Sequence, residues 1–372
     1  MKIVILGTAY PYRGGLAAFN ERLAREYLGH GHEVEIYTFT HQYPDFLFPG
    51  KTQYSTEPAP EDLHITRKVH SYNPFNWIKV GREIARKKPD LMITKFWLPF
   101  MAPCFGTIAR IVRRNKHTRI ISILDNVIPH EHRIGDKMFV RYFVNSTHGF
   151  VAMSKSVLQD LRLFTKDKPA VFCPHPLYDH YGQRLKREDA LQLLQLPTQN
   201  RYALFFGFIR AYKGLDILLQ AFADDRLRNS NVKLIVAGEF YGDSAPYMEI
   251  IKKLKLEDQV ILCTDFIPDS NVNQYFSAAD IITQPYKTAT QSGVTQIAFH
   301  YEKPMLVTNV GGLAEIVPDG KIGYVVEPNV QQIADALVNY FQQNKQNEFE
   351  QNIKEEKKKY TWDHITDAIQ QL

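Results

Sequence analysis

The sequence predicts an α/β protein with two domains, each built on a parallel sheet that helices cover on both faces. The chain has 372 residues, about twice the length of a typical domain, and 44% of them are apolar. Short apolar runs alternate with helical patterns, as they do around parallel sheets. This alternation breaks off once and then starts again, which indicates a second domain of the same kind.

The first series of elements predicts a domain at residues 1–175. An apolar run at 2–7 ends in glycine, a helical pattern follows at 16–28, and an alternating run at 33–39 predicts the next strand. Three further apolar runs, each beside a helical stretch, are predicted to continue the sheet: residues 90–94, 119–124 and 149–153.

The second series predicts a domain at residues 198–346, in which the strand and helix pattern restarts. The segment at 173–199 contains three prolines and a glycine, so we expect the chain to cross between domains there. Residues 347–372 predict a charged helix and then an amphipathic one that needs an apolar surface to cover. The predicted strands are 202–207, 232–237, 260–263 and 281–284, and the helices are 215–222, 247–254 and 272–276.

Composition and cysteine use favour a cytoplasmic protein. No run approaches the roughly 18 apolar residues of a membrane span, and the amino-terminal run does not resemble a signal peptide. The cysteines have no paired spacing for zinc or for disulfides, which fits a reducing compartment. They are Cys104, Cys173 and Cys263.

The charge is distributed unequally, which bears on possible partners. Residues 1–175 carry 25 basic and 15 acidic side chains, whereas the remainder carries 20 and 25. A basic half could meet nucleic acid, anionic lipid or an anionic substrate. No nucleic-acid motif is present, so that partner is not expected. The basic helix at 81–88 and the segment at 95–119 indicate either peripheral contact with an anionic membrane or a buried helix with a solvated basic end. We favour burial for the apolar part of the second segment.

Two cations follow the first strand of the second domain. Arg210 and Lys213 lie in one turn after the apolar run, and Gly214 precedes the next helix. Ligands of open α/β sheets bind at the carboxyl ends of strands, and an Arg fork with a Lys point charge can neutralise a diphosphate. Two solvated surface cations are the alternative.

Three glycine-rich loops occupy equivalent positions between a strand and a helix. They lie at residues 14–15, 286–294 and 309–315. Small residues before a helix leave backbone N–H groups available for phosphate or a sugar hydroxyl. One such loop is weak evidence, whereas three at strand-to-helix junctions favour a ligand-binding cleft between two domains.

With these motifs in place, the chain resembles the family 4 glycosyltransferases, a large group of retaining enzymes with the GT-B fold of two Rossmann-like domains facing across a cleft. The resemblance runs nearly end to end, and it implies that the last helix packs back on the first domain. The matching stretches are residues 10–15, 31–34, 206–214, 234–239, 266–268, 278–280, 303–304, 310–317 and 361–362.

The resemblance implies roles for individual residues. Arg210 and Lys213 would neutralise the diphosphate of a nucleotide-sugar donor as it leaves, which is electrostatic catalysis. It implies no metal and no other cofactor. The residues expected to bind the donor are Gly14, Gly15, Gly207, Glu239, Phe266, Ile267, Gln291, Ser292, Gly293, Val294 and Gln296.

The sequence departs from the family in the loop at 288–297. Relatives carry two glutamates eight positions apart there, and this chain has none. One alignment places Ala289 and Ile297 at those positions, and a shift by one residue places Thr288 and Gln296 there. Gln296 could still bond a ribose hydroxyl, but no carboxylate from this loop can contact the donor sugar.

A second departure follows the strand at 119–124, where many relatives have a histidine. Asp125 stands at that strand end, where it could orient a sugar hydroxyl or cap a turn, and His130 or Glu131 could approach the acceptor. His130 and His132 could suggest a metal, but two ligands without a third favour structural or acceptor-side roles. Asp125 and His130 therefore join Arg210 and Lys213 as candidate catalytic residues.

The predicted activity is transfer, with retention, of a hexose-type sugar from a UDP- or GDP-sugar to a glycan or glycolipid acceptor in surface polysaccharide or lipopolysaccharide synthesis. Two alternatives stay open. A nucleotide-sugar epimerase of the same fold would grip the same diphosphate. A catalytically degenerate binding partner would explain the absent glutamates.

Overall fold

The structure is a computed structural model that describes residues 1–43, 53–55, 57–128, 135–289 and 292–372. The chain forms two compact units. Unit 1 comprises Met1–Pro176 together with Tyr360–Leu372, and unit 2 comprises Leu177–Lys359. Each unit contains one parallel sheet with helices packed on it, as the alternating pattern predicts.

Unit 1 is built on a seven-stranded sheet with the strand order β3-β2-β1-β4-β5-β6-β7, in which all pairings are parallel. Its central strands are buried on both faces, which is why they appear as nearly continuous apolar runs. The strands are β1 (Lys2–Leu6), β2 (Glu33–His41), β3 (Ile65–His70), β4 (Leu91–Phe96), β5 (Arg119–Leu124), β6 (Gly149–Ala152) and β7 (Ala170–Phe172).

The helices of unit 1 begin where the sequence supplies caps or glycines. α1 begins after Gly14, whose φ of 94° suits glycine. α2 has Asn73 as its N-cap, and the Asn73 side chain accepts hydrogen bonds from the amides of Phe75 and Asn76. The first five helices are α1 (Gly15–Gly29), α2 (Pro74–Lys87), α3 (Ala102–Arg113), α4 (Asp136–Val144) and α5 (Lys155–Arg162), with a 3-10 turn at Pro99–Met101.

Unit 2 is built on a six-stranded parallel sheet with the order β10-β9-β8-β11-β12-β13. The strands are β8 (Arg201–Phe206), β9 (Val232–Ala237), β10 (Val260–Cys263), β11 (Ile281–Gln284), β12 (Met305–Thr308) and β13 (Gly323–Val326). The helices are α6 (Arg187–Leu193), α7 (Leu215–Phe222), α8 (Asp225–Arg228), α9 (Ala245–Lys253), α10 (Val272–Ala278), α11 (Gly293–His300), α12 (Leu313–Ile316), α13 (Val330–Gln342) and α14 (Gln346–Glu356), with 3-10 turns at Ala211–Lys213, Asp269–Asn271 and Lys357–Tyr360.

The end of the chain returns to unit 1. Helix α15 (Trp362–Gln370) packs on α1. The buried Trp362 ring lies 5.1 Å from the ring of Phe19, and the guanidinium of Arg22 lies 5.0 Å from the Trp362 ring centroid. The regularly spaced apolar residues of α15 therefore form the face that covers α1.

Some elements differ from the sequence-based expectations. β3 was not predicted, because the consecutive Arg67 and Lys68 interrupt its apolar pattern. α6 lies in the segment that was expected only to cross between domains. α6 is anchored because Arg187 donates to the carboxylate of Asp280 at 3.2 Å. β4 extends to Phe96 rather than ending at residue 94, because Lys95 is a buried strand residue. The apolar part of α3 is buried, as we favoured.

Candidate active site

The predicted donor-binding residues of unit 2 follow the carboxyl ends of its parallel strands. The loop after β8 begins with Gly207, whose φ is 95°. A Cβ atom added to Gly207 would lie 3.2 Å from Nζ of Lys213 and 3.8 Å from Cγ2 of Val294. Three of the predicted residues therefore meet at this edge of the sheet.

Gly214 holds this loop against the loop after β11. Its φ is 71°, and an added Cβ would lie 1.9 Å from the carbonyl oxygen of Pro285. One turn of 3-10 helix at Ala211–Lys213 precedes it, and the amide of Lys287 donates to the carbonyl of Tyr212 at 2.7 Å. A residue with a side chain could not occupy position 214 without moving the two loops apart.

Lys213 is an uncompensated cation in this site. It is half-buried, and its burial, with the nearby charge of Arg210, lowers its pKa to about 7. Its Nζ lies 5.6 Å from the ring centroid of the buried Tyr286. Within the described part of the chain, Lys213 forms no ion pair with a carboxylate.

Arg210 is exposed, and its guanidinium stacks at 4.0 Å from the ring centroid of Tyr241. It likewise has no carboxylate partner among the residues the structure describes. Two cations held three residues apart with no anion between them raise the local positive potential, so the site is suited to an anionic ligand.

The amino terminus of α11 lies near Lys213, because Val294 and Nζ of Lys213 both lie within 4 Å of a Cβ added to Gly207. Ser292 is its N-cap, and Oγ of Ser292 accepts a hydrogen bond from the amide of Val294 at 3.3 Å. Oγ also lies 3.2 Å from the hydroxyl of Tyr286. Gly293 is required by packing, because an added Cβ would lie 2.7 Å from the ring of Tyr178. Gln291 lies outside the described residues.

Glu239 and the pair Phe266 and Ile267 follow the neighbouring strands β9 and β10. Glu239 is buried, and its carbonyl accepts from the amide of Ile209 at 2.8 Å. Gly238 allows this contact, since an added Cβ would lie 2.5 Å from the carbonyl oxygen of Gly207. Phe266 and Ile267 are half-buried. All three residues therefore lie at the edge of the sheet that carries Arg210.

Gln296 lies in α11 with its side chain fully buried. Its amide nitrogen and oxygen have no hydrogen-bonding partner in the described part of the protein. The adjacent Thr295 donates to the side-chain oxygen of Gln284 at 3.1 Å. A bond from Gln296 to a ribose stays a prediction, and it requires access to an amide that is buried in this structure.

The predicted residues of unit 1 lie at the carboxyl edge of the other sheet. Gly14 and Gly15 begin α1 directly after the loop from β1, and an added Cβ at Gly14 would meet nothing within 4 Å. Asp125 follows β5 and forms an ion pair with Lys95, with 2.6 Å between Nζ and Oδ1. Sequence reasoning missed Lys95, although a lysine inside an apolar strand was the available signal. His130, Glu131 and His132 lie outside the described residues.

Potential metal ligands come together on two helices of unit 1, away from the predicted site residues. In the parts of the chain that the structure describes, one group of three potential ligands lies close together: Glu26, His30 and Asp363. Nε2 of His30 is 3.2 Å from the carboxylate of Asp363, so the contact is an ion pair when the histidine is protonated. This cluster joins α1 to α15 and contains no residue predicted to bind substrate.

None of the described helices has both the length and the apolar character needed to span a bilayer.

Comparison with known proteins defines the class. Residues 13–176 match the model of Glycosyltransferase Family 4, and residues 186–360 match that of Glycosyl transferases group 1. Anabaena Alr3699/HepE in complex with UDP-glucose has a similar structure, with a TM-score of 0.74 over 100% of both chains and 16% sequence identity. The two parallel-sheet units thus form a GT-B fold, and the protein is a glycosyltransferase. The chain belongs to the group 1, family 4 glycosyltransferases.

Two curated relatives show how far the sequence similarity extends. The lipopolysaccharide 1,2-N-acetylglucosaminetransferase of Salmonella typhimurium is 26% identical over 202 residues, which are 51% of this chain and 52% of that protein. The alignment thus spans about half of that relative. An uncharacterized glycosyltransferase of Methanocaldococcus jannaschii is 21% identical over 378 residues, covering 100% of this chain and 97% of that one.

Proposed function

We propose that this enzyme transfers a hexose-type sugar, with retention of configuration, from a UDP- or GDP-sugar to a glycan or glycolipid acceptor in surface polysaccharide or lipopolysaccharide assembly. The observation that carries the proposal is the uncompensated pair of Arg210 and Lys213 at the carboxyl edge of the sheet in unit 2. A half-buried lysine without a carboxylate partner is costly unless a ligand supplies the negative charge.

A nucleotide diphosphate fits this site better than a single carboxylate does. Arg210 offers a planar fork and Lys213 a point charge, so two adjacent phosphates can each bind a cation. Gly207 has no side chain to cover its backbone, and the amino terminus of α11 presents free N–H groups and a partial positive charge. Both features favour negative charge in the same place. The UDP-glucose bound by the Anabaena relative supports a nucleotide sugar as the ligand.

The proposed reaction needs little covalent chemistry from the protein. The bond between the sugar C1 and the phosphate oxygen breaks, a bond from the acceptor oxygen to C1 forms on the same face, and the acceptor proton moves to the departing phosphate. Arg210 and Lys213 stabilise the charge that develops on that phosphate. The absence of glutamates from residues 288–297 is compatible with this scheme, because the leaving group accepts the proton. The proposal includes no metal and no other cofactor.

The acceptor side of the proposal includes peripheral contact with the inner face of the cell membrane. Helices α2, α3 and α4 carry eight basic and two acidic residues. At the start of α2, Phe75 is 85% exposed, and Lys79 and Arg82 are exposed one and two turns later. A basic helix with an exposed aromatic ring suits an anionic bilayer. Sedimentation with anionic vesicles but not with neutral ones is the expected result, and equal binding to both would contradict it.

A panel of nucleotide sugars tests the donor site. Wild type, Arg210→Ala/Lys213→Ala and the control Lys287→Ala are compared by thermal shift and by release of free nucleotide. Lys287 is matched in charge and lies in the adjacent loop, but its Nζ is already paired with Asp216 at 2.8 Å. A donor at 100 times its dissociation constant should stabilise wild type and the control by about 2.7 kcal/mol, and the double variant by much less.

The outcomes separate this proposal from its rivals. Slow nucleotide release by wild type, lost in the double variant, supports a transferase. Conversion of one nucleotide sugar into another without acceptor would indicate an epimerase. Nucleotide binding without release would indicate a degenerate binding partner, and no binding by wild type would refute the donor site.

A further inference from the structure

Unit 1 contains a buried ion pair at the carboxyl edge of its sheet. Lys95 is 1% exposed, and its Nζ lies 2.6 Å from Oδ1 of Asp125. The ammonium also lies 3.6 Å from the ring centroid of Phe19 and 4.0 Å from the sulfur of Met153. The three N–H donors of Lys95 are thus surrounded by one carboxylate oxygen, an aromatic face and a thioether.

The strand register brings the pair together. β4 and β5 are parallel neighbours in which Lys95 lies beside Ile123, and the amide of Asp125 donates to the carbonyl of Phe96 at 2.9 Å. Lys95 is therefore the penultimate residue of its strand, and Asp125 is the first residue after the next one. This edge is where open α/β sheets bind ligands.

A contribution to the free energy of folding does not by itself explain why this ion pair is buried. Burial lowers the pKa of Lys95, and Asp125 offsets only part of that cost. Buried ion pairs are commonly no more stabilising than well-packed apolar residues of similar size. The side chain of Lys95 is 2% exposed whereas that of Asp125 is 14% exposed, so the pair presents its carboxylate, rather than its cation, toward the surface.

We propose that Lys95 is a positioning residue, which holds the carboxylate of Asp125 in a fixed orientation at the end of β5 so that Asp125 accepts a hydrogen bond from a sugar hydroxyl. The inference rests on the proposed function. A carboxylate has roughly four acceptor sites, so the bond to Lys95, together with a further protein contact, leaves capacity for a hydroxyl. Lys95 does not touch the sugar, and it acts through Asp125.

The test removes the pair without leaving a buried charge behind. The double variant Lys95→Met/Asp125→Leu replaces both partners by apolar residues of similar size, and it should fold. Asp125→Asn is a second variant that keeps the shape of the side chain and an oxygen that can accept from Lys95. Because it removes the anion beside the buried ammonium, its folding is checked by circular dichroism before nucleotide release is measured. Lys168→Met is the control, because Lys168 is a half-buried lysine of unit 1 that donates to the carbonyls of Val144 and Thr147, ahead of the amino end of β6.

Binding of UDP, GDP, UDP-glucose and GDP-mannose is measured by calorimetry, and nucleotide release is measured with and without octyl glucoside as a probe acceptor. We expect the double variant to bind the bare nucleotide within twofold of wild type and to lose about 100-fold in nucleotide release, the size of effect that misplacing a reacting group produces. Asp125→Asn should lose at least tenfold in release, and Lys168→Met should retain wild-type release.

The two possible sources of the hydroxyl give different results. If the ratio of nucleotide-sugar to nucleotide affinity falls, the hydroxyl belongs to the transferred sugar. If that ratio holds and only the stimulation by octyl glucoside is lost, it belongs to the acceptor. Release within threefold of wild type in a folded double variant would overturn the inference. Failure of wild type to bind any nucleotide sugar would instead refute the proposed function, and this inference with it.

Discussion

Both sheets carry a lysine at the carboxyl edge, but the two lysines are treated in opposite ways. In unit 1, Lys95 is buried in a strand and neutralised by Asp125 at 2.6 Å. In unit 2, Lys213 is half-buried in a loop and has Arg210 as its charged neighbour. Burial lowers the pKa of each lysine, but a nearby anion opposes the shift only for Lys95, while a nearby cation adds to it for Lys213.

The two edges are therefore suited to different ligands. A cation that has its anion within the chain leaves a carboxylate to interact with neutral hydroxyls. A cation that lacks one can be paired by an anion from outside, and under the proposed function that anion is the diphosphate of the donor. The same kind of parallel sheet thus carries a paired lysine at one carboxyl edge and an unpaired one at the other, within the described residues.

The largest expected effect is on stability, and it comes from a substitution in the loop that contains Lys213. Gly214→Ala should lower the free energy of unfolding by about 3 kcal/mol or more, because alanine is strained at positive φ and would also collide with the carbonyl of Pro285. Gly320→Ala is a matched control, since its φ is 70° and nothing lies within 4 Å of an added Cβ. That variant should lose only about 1 kcal/mol.

Urea denaturation followed by circular dichroism measures this loss. All three tryptophans, Trp77, Trp97 and Trp362, lie in unit 1, so their fluorescence separately reports the unit that contains Lys95. Equal losses from the two glycine variants would show that the contact with Pro285 does not constrain the loop.

The second effect concerns pH and sharpens the contrast between the two lysines. Because the pKa of Lys213 is lowered to about 7, the free protein loses this charge as pH rises through 7. A diphosphate binds the charged form, so affinity for the donor should fall by roughly tenfold or more between pH 7 and 9. The phosphates of a nucleotide sugar keep their charge over this range, so the change would come from the protein.

The same pKa shift acts in the opposite direction on the free energy of unfolding of the ligand-free protein. The unfolded chain holds the Lys213 proton up to about pH 10.4, whereas the folded chain releases it near 7. The unfolded state binds more protons in this window, so the contribution of Lys213 to stability should rise with pH.

Lys213→Arg is the control for donor affinity. Its side chain does not titrate in this range, so its donor affinity, measured by calorimetry, should not depend on pH. A donor affinity of wild type that does not change between pH 7 and 9 would contradict the assigned pKa.

The smallest effect concerns the aromatic ring beneath Lys95. Phe19→Leu removes a fully buried ring 3.6 Å from the ammonium, whereas Phe39→Leu removes an equally buried ring that packs on Phe105. The first change should cost about 1 kcal/mol more than the second, which is the size of a desolvated cation–π contact. Urea denaturation followed by tryptophan fluorescence measures both, and equal losses would show that the ring contributes by packing alone.

Local patterns in the sequence predicted the fold class but not every strand, since β3, β7 and β13 were not among the predicted strands. Apolar runs such as residues 119–124 and 202–207 have the length and burial of strands in a parallel sheet, and glycines mark the turns that need positive φ. Arg210 and Lys213 could be selected because they are close in sequence and follow a strand. Residues 65–70 were missed, because two charged residues interrupt their apolar pattern.

The pairing of buried charges could not be predicted from the sequence. Lys95 and Asp125 are 30 residues apart, and only the parallel register of β4 and β5 brings their side chains together. The need for glycine at position 214 likewise depends on Pro285, 71 residues further along the chain. Periodicity and turn chemistry are properties of residues that are close along the chain, so they can be recognised in the sequence. The partner of a buried charge depends on which strands lie side by side, and that is settled only when the sheet forms.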